Sequence, residues 1–233
     1  MTERIGKTEA FLREQLAGSP YFAEHPEALA YRLEHTFRVA RIGRAIAGAE
    51  GMDQEAMTIA CLLHDVSYGR DFAGEADWKD HGRASARIAR PFLEQLGLAA
   101  GTVEEICYGV AIHVDDKADF PGDRTAFACT VGDADNIDRF DVYRLYETLE
   151  TIGFRKLNLG EKRTHVEKTL ERLEKYLALP FATATAAAMW RERITCYLDF
   201  YRRLDDQLSA SVSFSREPAE ISSGAPGPAA SRL

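Results

Sequence analysis

Apolar residues in this chain recur three and four positions apart, and alternation of the strand type is almost absent. The pattern predicts an all-α protein of about eight helices. The first runs from about Glu3 to Ala17 and stops at Gly18-Ser19-Pro20. The second spans about Pro26 to Ala49 and closes at Gly51. The third takes Asp53 as N-cap and ends near Asp65. A loop from Val66 to Lys79 carries Gly69, Gly74 and a tryptophan. The fourth helix starts near Asp80 and ends before Gly97, with Pro91 expected to kink or shorten it by removing a backbone donor. The fifth runs from an N-cap at Thr102 to Val114, and a polar loop from Asp115 to Arg124 follows. The sixth is expected over Thr125 to Ile152. The seventh covers Glu161 to Leu179, with Val166, Leu170, Leu173 and Leu177 as its stripe and Pro180 as its stop. The eighth covers Ala182 to Leu208, with Trp190, Ile194, Tyr197, Tyr201 and Leu204 on one face. Ser, Ala, Pro and Gly then take over, which predicts one helical domain over 1–210 and a disordered tail over 211–233.

Composition narrows the class. Of 233 residues, 45% are hydrophobic and 28% charged, enough apolar material for a core without staples. A net charge of −8 argues against a nucleic-acid duplex or an anionic membrane as partner, since both need clustered Lys and Arg. It leaves small anions open, because a bound cation reverses the local field. Met1 to Ala10 is polar and mixed in charge, so no secretory leader is expected, and no apolar run reaches the roughly 20 residues that span a bilayer. Cys61, Cys107, Cys129 and Cys196 form no C-x-x-C pair and sit in apolar stretches. They predict buried free thiols and a reducing, cytoplasmic setting.

The histidines change the picture most. His35 shares a face with Val39, Ile42 and Ile46; His113 with Val103, Ile106 and Val110; His81 with Ser85, Ile88 and Phe92. Apolar stripes point inward, so imidazoles from separate helices can converge on one interior point. A lone core histidine is commonly just hydrogen-bonded, but four of them with a His-Asp dipeptide are a different matter. His64-Asp65 ends the apolar run Ala60-Cys61-Leu62-Leu63. Neighbours on a regular helix point about 100° apart, so both reach one cation only at a helix end. Asp135 falls on the stripe Ala128, Val131, Asp138, Val142, Leu145, whereas Asp133 points away from it. Asp133 and Asp138 read as N-cap residues or as supports for ligands. Imidazole nitrogen with carboxylate oxygen suits a hydrolytic Mn, Fe, Co, Ni or Zn site, and without cysteine pairs a structural zinc knot is not expected.

These pieces, Glu34-His35-Thr36, then Leu63-His64-Asp65-Val66, then Asp133-Ala134-Asp135-Asn136, resemble the HD-domain superfamily of metal-dependent phosphohydrolases over about Tyr31 to Arg144. The resemblance implies an HD-domain, phosphodiesterase-like helical bundle with His35, His64, Asp65 and Asp135 as primary ligands. His64 and Asp65 would be the residues at the heart of catalysis. Asp80-His81-Gly82 and Ala111-Ile112-His113 resemble the extra pieces of binuclear members, which implies His81 and His113 as second-metal ligands, with Asp65 bridging. The expected cofactor is one or two divalent transition metals, with Mn, Fe, Co or Ni ahead of Zn. One departure stands out. Many members follow His-Asp with Ile-Gly-Lys, the lysine meeting phosphate, and this chain has Val66-Ser67-Tyr68.

The expected reaction is hydrolysis of a phosphate ester or anhydride of a nucleotide or other small phosphorylated molecule. Arg38, one turn beyond His35, and Arg70, just after the dipeptide, are the candidate phosphate contacts. Two rivals share the ligand set: a di-iron oxygenase, and a non-catalytic metal- or nucleotide-binding signalling domain. The stripe of Trp190, Tyr197 and Tyr201 reads as core, with a homodimer face as the alternative.

Overall fold

Helix starts follow the side-chain caps written into the sequence. In the computed structural model, which describes residues 2–70, 72 and 74–212, Thr2 opens α1 (Glu3–Ala17) and Ser19 opens the short α2 (Pro20–Glu24). α3 (Pro26–Ala49) follows at once. Asp53 accepts from the backbone N–H groups of Glu55 and Ala56 to open α4 (Gln54–Leu63). A 3₁₀ turn over Val66–Gly69 leads to α5 (Glu75–Gln95) and α6 (Ala100–Ile112). Thr125 caps α7 (Ala126–Asp138) and Asp141 caps α8 (Val142–Thr151). A second 3₁₀ turn, Phe154–Lys156, precedes α9 (Leu159–Tyr176), where Asn158 and Glu161 form a capping box. Thr183 opens α10 (Ala184–Ala210). The fold is all-α, and the described residues contain no strand.

The ten helices of the described residues exceed the expected eight for local reasons. Ser19 and Pro20 turn the first break into α2. The long sixth helix is two, because the chain leaves the helix after Asp138. There Phe140 tucks among the rings of Tyr176, Trp190 and Tyr197, with centroids 5.5, 5.0 and 5.5 Å away. Asp141 then re-caps the chain as α8. α5 begins at Glu75 rather than Asp80, so Trp78 and Lys79 are helical, and Pro91 sits inside it without ending it. α6 starts after Ala99, without a side-chain cap, rather than at Thr102. The tail expected from Ser211 lies outside the described residues from 213 onward.

α4 is the central element. Every residue from Ala56 to Leu63 is buried, as expected of a helix that is apolar all round. α3 packs on α4 and α7; α6 packs on α4, α5 and α7; the α9–α10 hairpin leans on α7 through α10. The α3–α4 seam is tight: a Cβ on Gly43 would stand 2.5 Å from Cys61 Sγ. Trp190, Tyr197 and Tyr201 are buried in the core, so that stripe offers no face to a second copy. Cys61 and Cys107 are buried as expected, Cys129 is half-buried, and Cys196 is exposed on the outer face of α10, against expectation. Among the described residues no helix is long and apolar enough to cross a membrane.

Candidate metal centre

Five helices deliver side chains to one buried point. His35 projects from the buried stripe of α3. His64 is the C-cap of α4, still helical at φ −56°, ψ −37°, while Asp65 relaxes to φ −110°, ψ 16°. That change brings two adjacent side chains to the same place, which a continuing helix forbids. His81 comes from α5, His113 caps α6, and Asp135 lies on α7.

Asp65 stands between two lobes. Its Oδ2 is 3.4 Å from His64 Nε2 and 3.7 Å from His35 Nε2. Its Oδ1 is 3.3 Å from His81 Nε2 and 3.6 Å from His113 Nε2. Asp135 Oδ1 closes the first lobe, 3.2 Å from His35 Nε2 and 3.9 Å from His64 Nε2. The donor atoms of His35, His64 and Asp135 all lie within 4.8 Å of one another, as do those of His64, Asp65 and His113.

The opposite edge of each ring is braced. His64 Nδ1 is 2.7 Å from the carbonyl of Cys61, His113 Nδ1 is 2.7 Å from that of Val110, and His81 Nδ1 meets that of Trp78. A carbonyl only accepts, so each Nδ1 carries the proton. His35 Nδ1 donates to Asp138 Oδ2 at 2.8 Å. All four rings therefore turn Nε2 inward, the tautomer that a cation needs.

Apart from His35 Nε2, which faces Asp135 Oδ1, the inward atoms lack ordinary partners. His64 Nε2 is buried and hydrogen-bonds nothing. His81 and His113 face each other through Nε2 at 3.1 Å, although both Nδ1 protons are committed to carbonyls. Two facing lone pairs repel unless a proton or a cation lies with them. The donor set, imidazole nitrogen plus carboxylate oxygen, thus fits a divalent transition metal in each lobe.

Charge accumulates accordingly. Burial works against ionising Asp65 and Asp135, yet His64 and Arg32 hold the Asp65 carboxyl well below the usual carboxylate range, and His35 and Arg139 do the same for Asp135. Burial also opposes an imidazolium at His35, but hydrogen bonds with Asp135 and Asp138 outweigh it and raise that group to about 9. A divalent cation would have to displace this proton. Asp133 belongs elsewhere: burial pushes it up to about 6, and its Oδ2 accepts from the Ala182 N–H at 2.8 Å.

The cations are arranged differently from the sequence expectation. Arg38 donates to Asp138 through Nε at 2.7 Å and Nη2 at 3.2 Å, so it braces the carboxylate behind His35 instead of opening on the cluster. Arg70 is exposed at the end of the 3₁₀ turn. The guanidinium at the cluster is Arg32, paired through Nη1 with Asp65 Oδ2 and missed by the sequence reading. Its only sequence signal is its position three residues before His35, on the same helical face. The bracing role of Asp138 was legible as one of two options.

Comparison with known proteins bears on this geometry. Residues 32–140 match the family model of the HD domain, an interval holding all six converging residues. A crystal structure of a predicted HD superfamily hydrolase from an uncultured Thermotogales bacterium superposes with a TM-score of 0.59 at 20% identity. The match covers 86% of this chain and 91% of that one, and it speaks for the fold.

Proposed function

We propose that this chain, whose residues 32–140 match the HD-domain family model, is a metal-dependent phosphohydrolase acting on an ester or anhydride of a nucleotide or other small phosphorylated molecule. The observation that carries the reading is the convergence of four inward Nε2 atoms and two carboxylates, each ring braced from behind. His35, His64, Asp65 and Asp135 would hold one cation; His81 and His113, with Asp65 bridging, would hold a second. A divalent cation there supplies Lewis-acid stabilisation of phosphoryl oxygens and an acidified water.

The protein's own groups do the rest. Asp65, with one oxygen toward each lobe, is placed to hold both lobes in register and to orient a water between them. Asp138 keeps the His35 proton on Nδ1, and Arg38 keeps Asp138 ionised and in place. Leu62 and Leu63 at the end of α4 and Val66 in the turn that follows flank the His-Asp pair in sequence and are all buried, so the pair stands against the core and not in bulk water. Metal analysis of the purified chain, followed by phosphate release from nucleotides and simple esters with Mn, Fe, Co, Ni and Zn in turn, tests the reading. Metal-dependent phosphate release is the expected result. Oxygen consumption by the iron-loaded chain without phosphate release would replace it with the oxygenase alternative, and a loaded site with neither activity would point to a binding domain.

A further inference from the structure

Resting on the phosphohydrolase reading, we propose that Arg32, clamped between Asp65 and the ring of Tyr68, is the group that receives the anionic oxygens of the substrate. The guanidinium carbon of Arg32 lies 3.6 Å from the centroid of the Tyr68 ring, a face-on contact. That ring is fixed from its edges, with His81 5.3 Å and Trp78 5.5 Å away, both inclined steeply to it. Tyr68 thus acts as a platform that sets the plane of the guanidinium. Asp65 takes Nη1.

The donors left over on the two arginines differ. A guanidinium carries five N–H groups in a fixed fork. Arg38 uses both Nε and Nη2 on Asp138 and has no fork left over on that side. Arg32 uses Nη1 alone; its Nε and Nη2 hydrogen-bond nothing among the described residues. The side chain is 16% exposed, and its unpaired donors are not among the fully buried unpartnered atoms, so a small ligand can reach them next to the point where the two lobes meet. A planar, half-buried fork beside a cation centre matches two oxygens of a phosphoryl group in a bidentate contact. It also accounts for the Val66-Ser67-Tyr68 departure. Tyr68 brings no charge of its own to the position after His-Asp, but it holds a charge delivered by α3. A lysine at 32 would keep the charge and lose both the fork and the flat stacking surface.

The experiment titrates inorganic phosphate into the manganese-loaded chain by calorimetry, with manganese content measured in parallel, for wild type, Arg32→Gln, Arg32→Lys, Tyr68→Phe and Tyr68→Leu. Arg32→Gln should keep its manganese and bind phosphate about 10- to 100-fold more weakly. Arg32→Lys should fall in between. Tyr68→Phe retains the ring and should stay within about threefold of wild type, whereas Tyr68→Leu should move toward Arg32→Gln, because the stacked face is gone. Wild-type phosphate affinity in a fully loaded Arg32→Gln variant overturns the assignment. Loss of manganese in that variant also overturns it, by showing that Arg32 acts only through Asp65. If loaded wild-type protein binds no phosphate, the phosphohydrolase reading falls first and this assignment with it.

Discussion

At the scale of single residues, the braces behind the rings matter as much as the ligands. Asp138→Asn removes a charged acceptor from His35 Nδ1 and strands Arg38. Metal affinity should drop about 10- to 100-fold, read by competition with a chelating dye. Asp133→Asn, which only weakens a contact to Ala182, should leave that affinity unchanged. His64→Ala and Asp65→Ala should lose metal and turnover together. His165 gives a separate prediction. Burial, helped by Arg172, holds its imidazole below the usual 6.5, and its Nε2 is buried without a partner. The folded chain therefore binds that proton less readily than the unfolded chain. The cost is absent above pH 6.5 and grows as pH falls through that value. His165→Phe, set beside Phe154 and Tyr201, should flatten the fall in melting temperature between pH 7.5 and 5.5; an unchanged slope would rule the residue out as its source.

At the scale of elements, the α5–α6 contact carries the second lobe. Gly82 follows His81, and a Cβ there would stand 2.7 Å from the Ala111 carbonyl oxygen and 3.1 Å from His113 Nδ1. Gly82→Ala gains about 1 kcal/mol of helix propensity. The overlap is with backbone, which cannot swing aside, so a cost of about 1–3 kcal/mol wins. The variant should melt lower and lose one metal in preference to two, measured by metal content against chain concentration. Elements also show what the sequence could and could not disclose. His35, His64, Asp65, His81, His113 and Asp135 were visible because ligand-type residues stood on apolar stripes or helix ends, where burial is readable from spacing. Arg32 was not, because a charge early in a long helix looks like any solvated residue until Asp65, 33 positions away, is known to face it. The break after Asp138 was hidden for a like reason. Phe140 continues a helical pattern on paper, and only the rings of Tyr176, Trp190 and Tyr197, brought by α9 and α10, give it somewhere else to go.

At the scale of the whole molecule, the donors of the two lobes come from α3, α5, α6, α7 and the end of α4, so cations held there would tie together elements that are far apart in the unfolded chain. Binding is therefore linked to folding. At a free metal concentration of about 100 times Kd the native state gains about 2.7 kcal/mol, which in a chain of this size raises the melting temperature by about 5–10 °C. Chelation should reverse that shift, and equal melting curves with and without chelator would contradict the shared centre. The ion pairs of the cluster have one more consequence. Asp65, Asp135 and Asp138 face Arg32, Arg38 and, before any metal arrives, a protonated His35, so the interior charges cancel. Exchanging that one proton for a doubly charged ion tips the interior positive inside a protein whose overall charge is −8. An approaching anion is repelled at long range and attracted only on arrival. Added salt shortens the reach of the repulsion, so moderate ionic strength should quicken substrate capture, the reverse of what a basic surface would show.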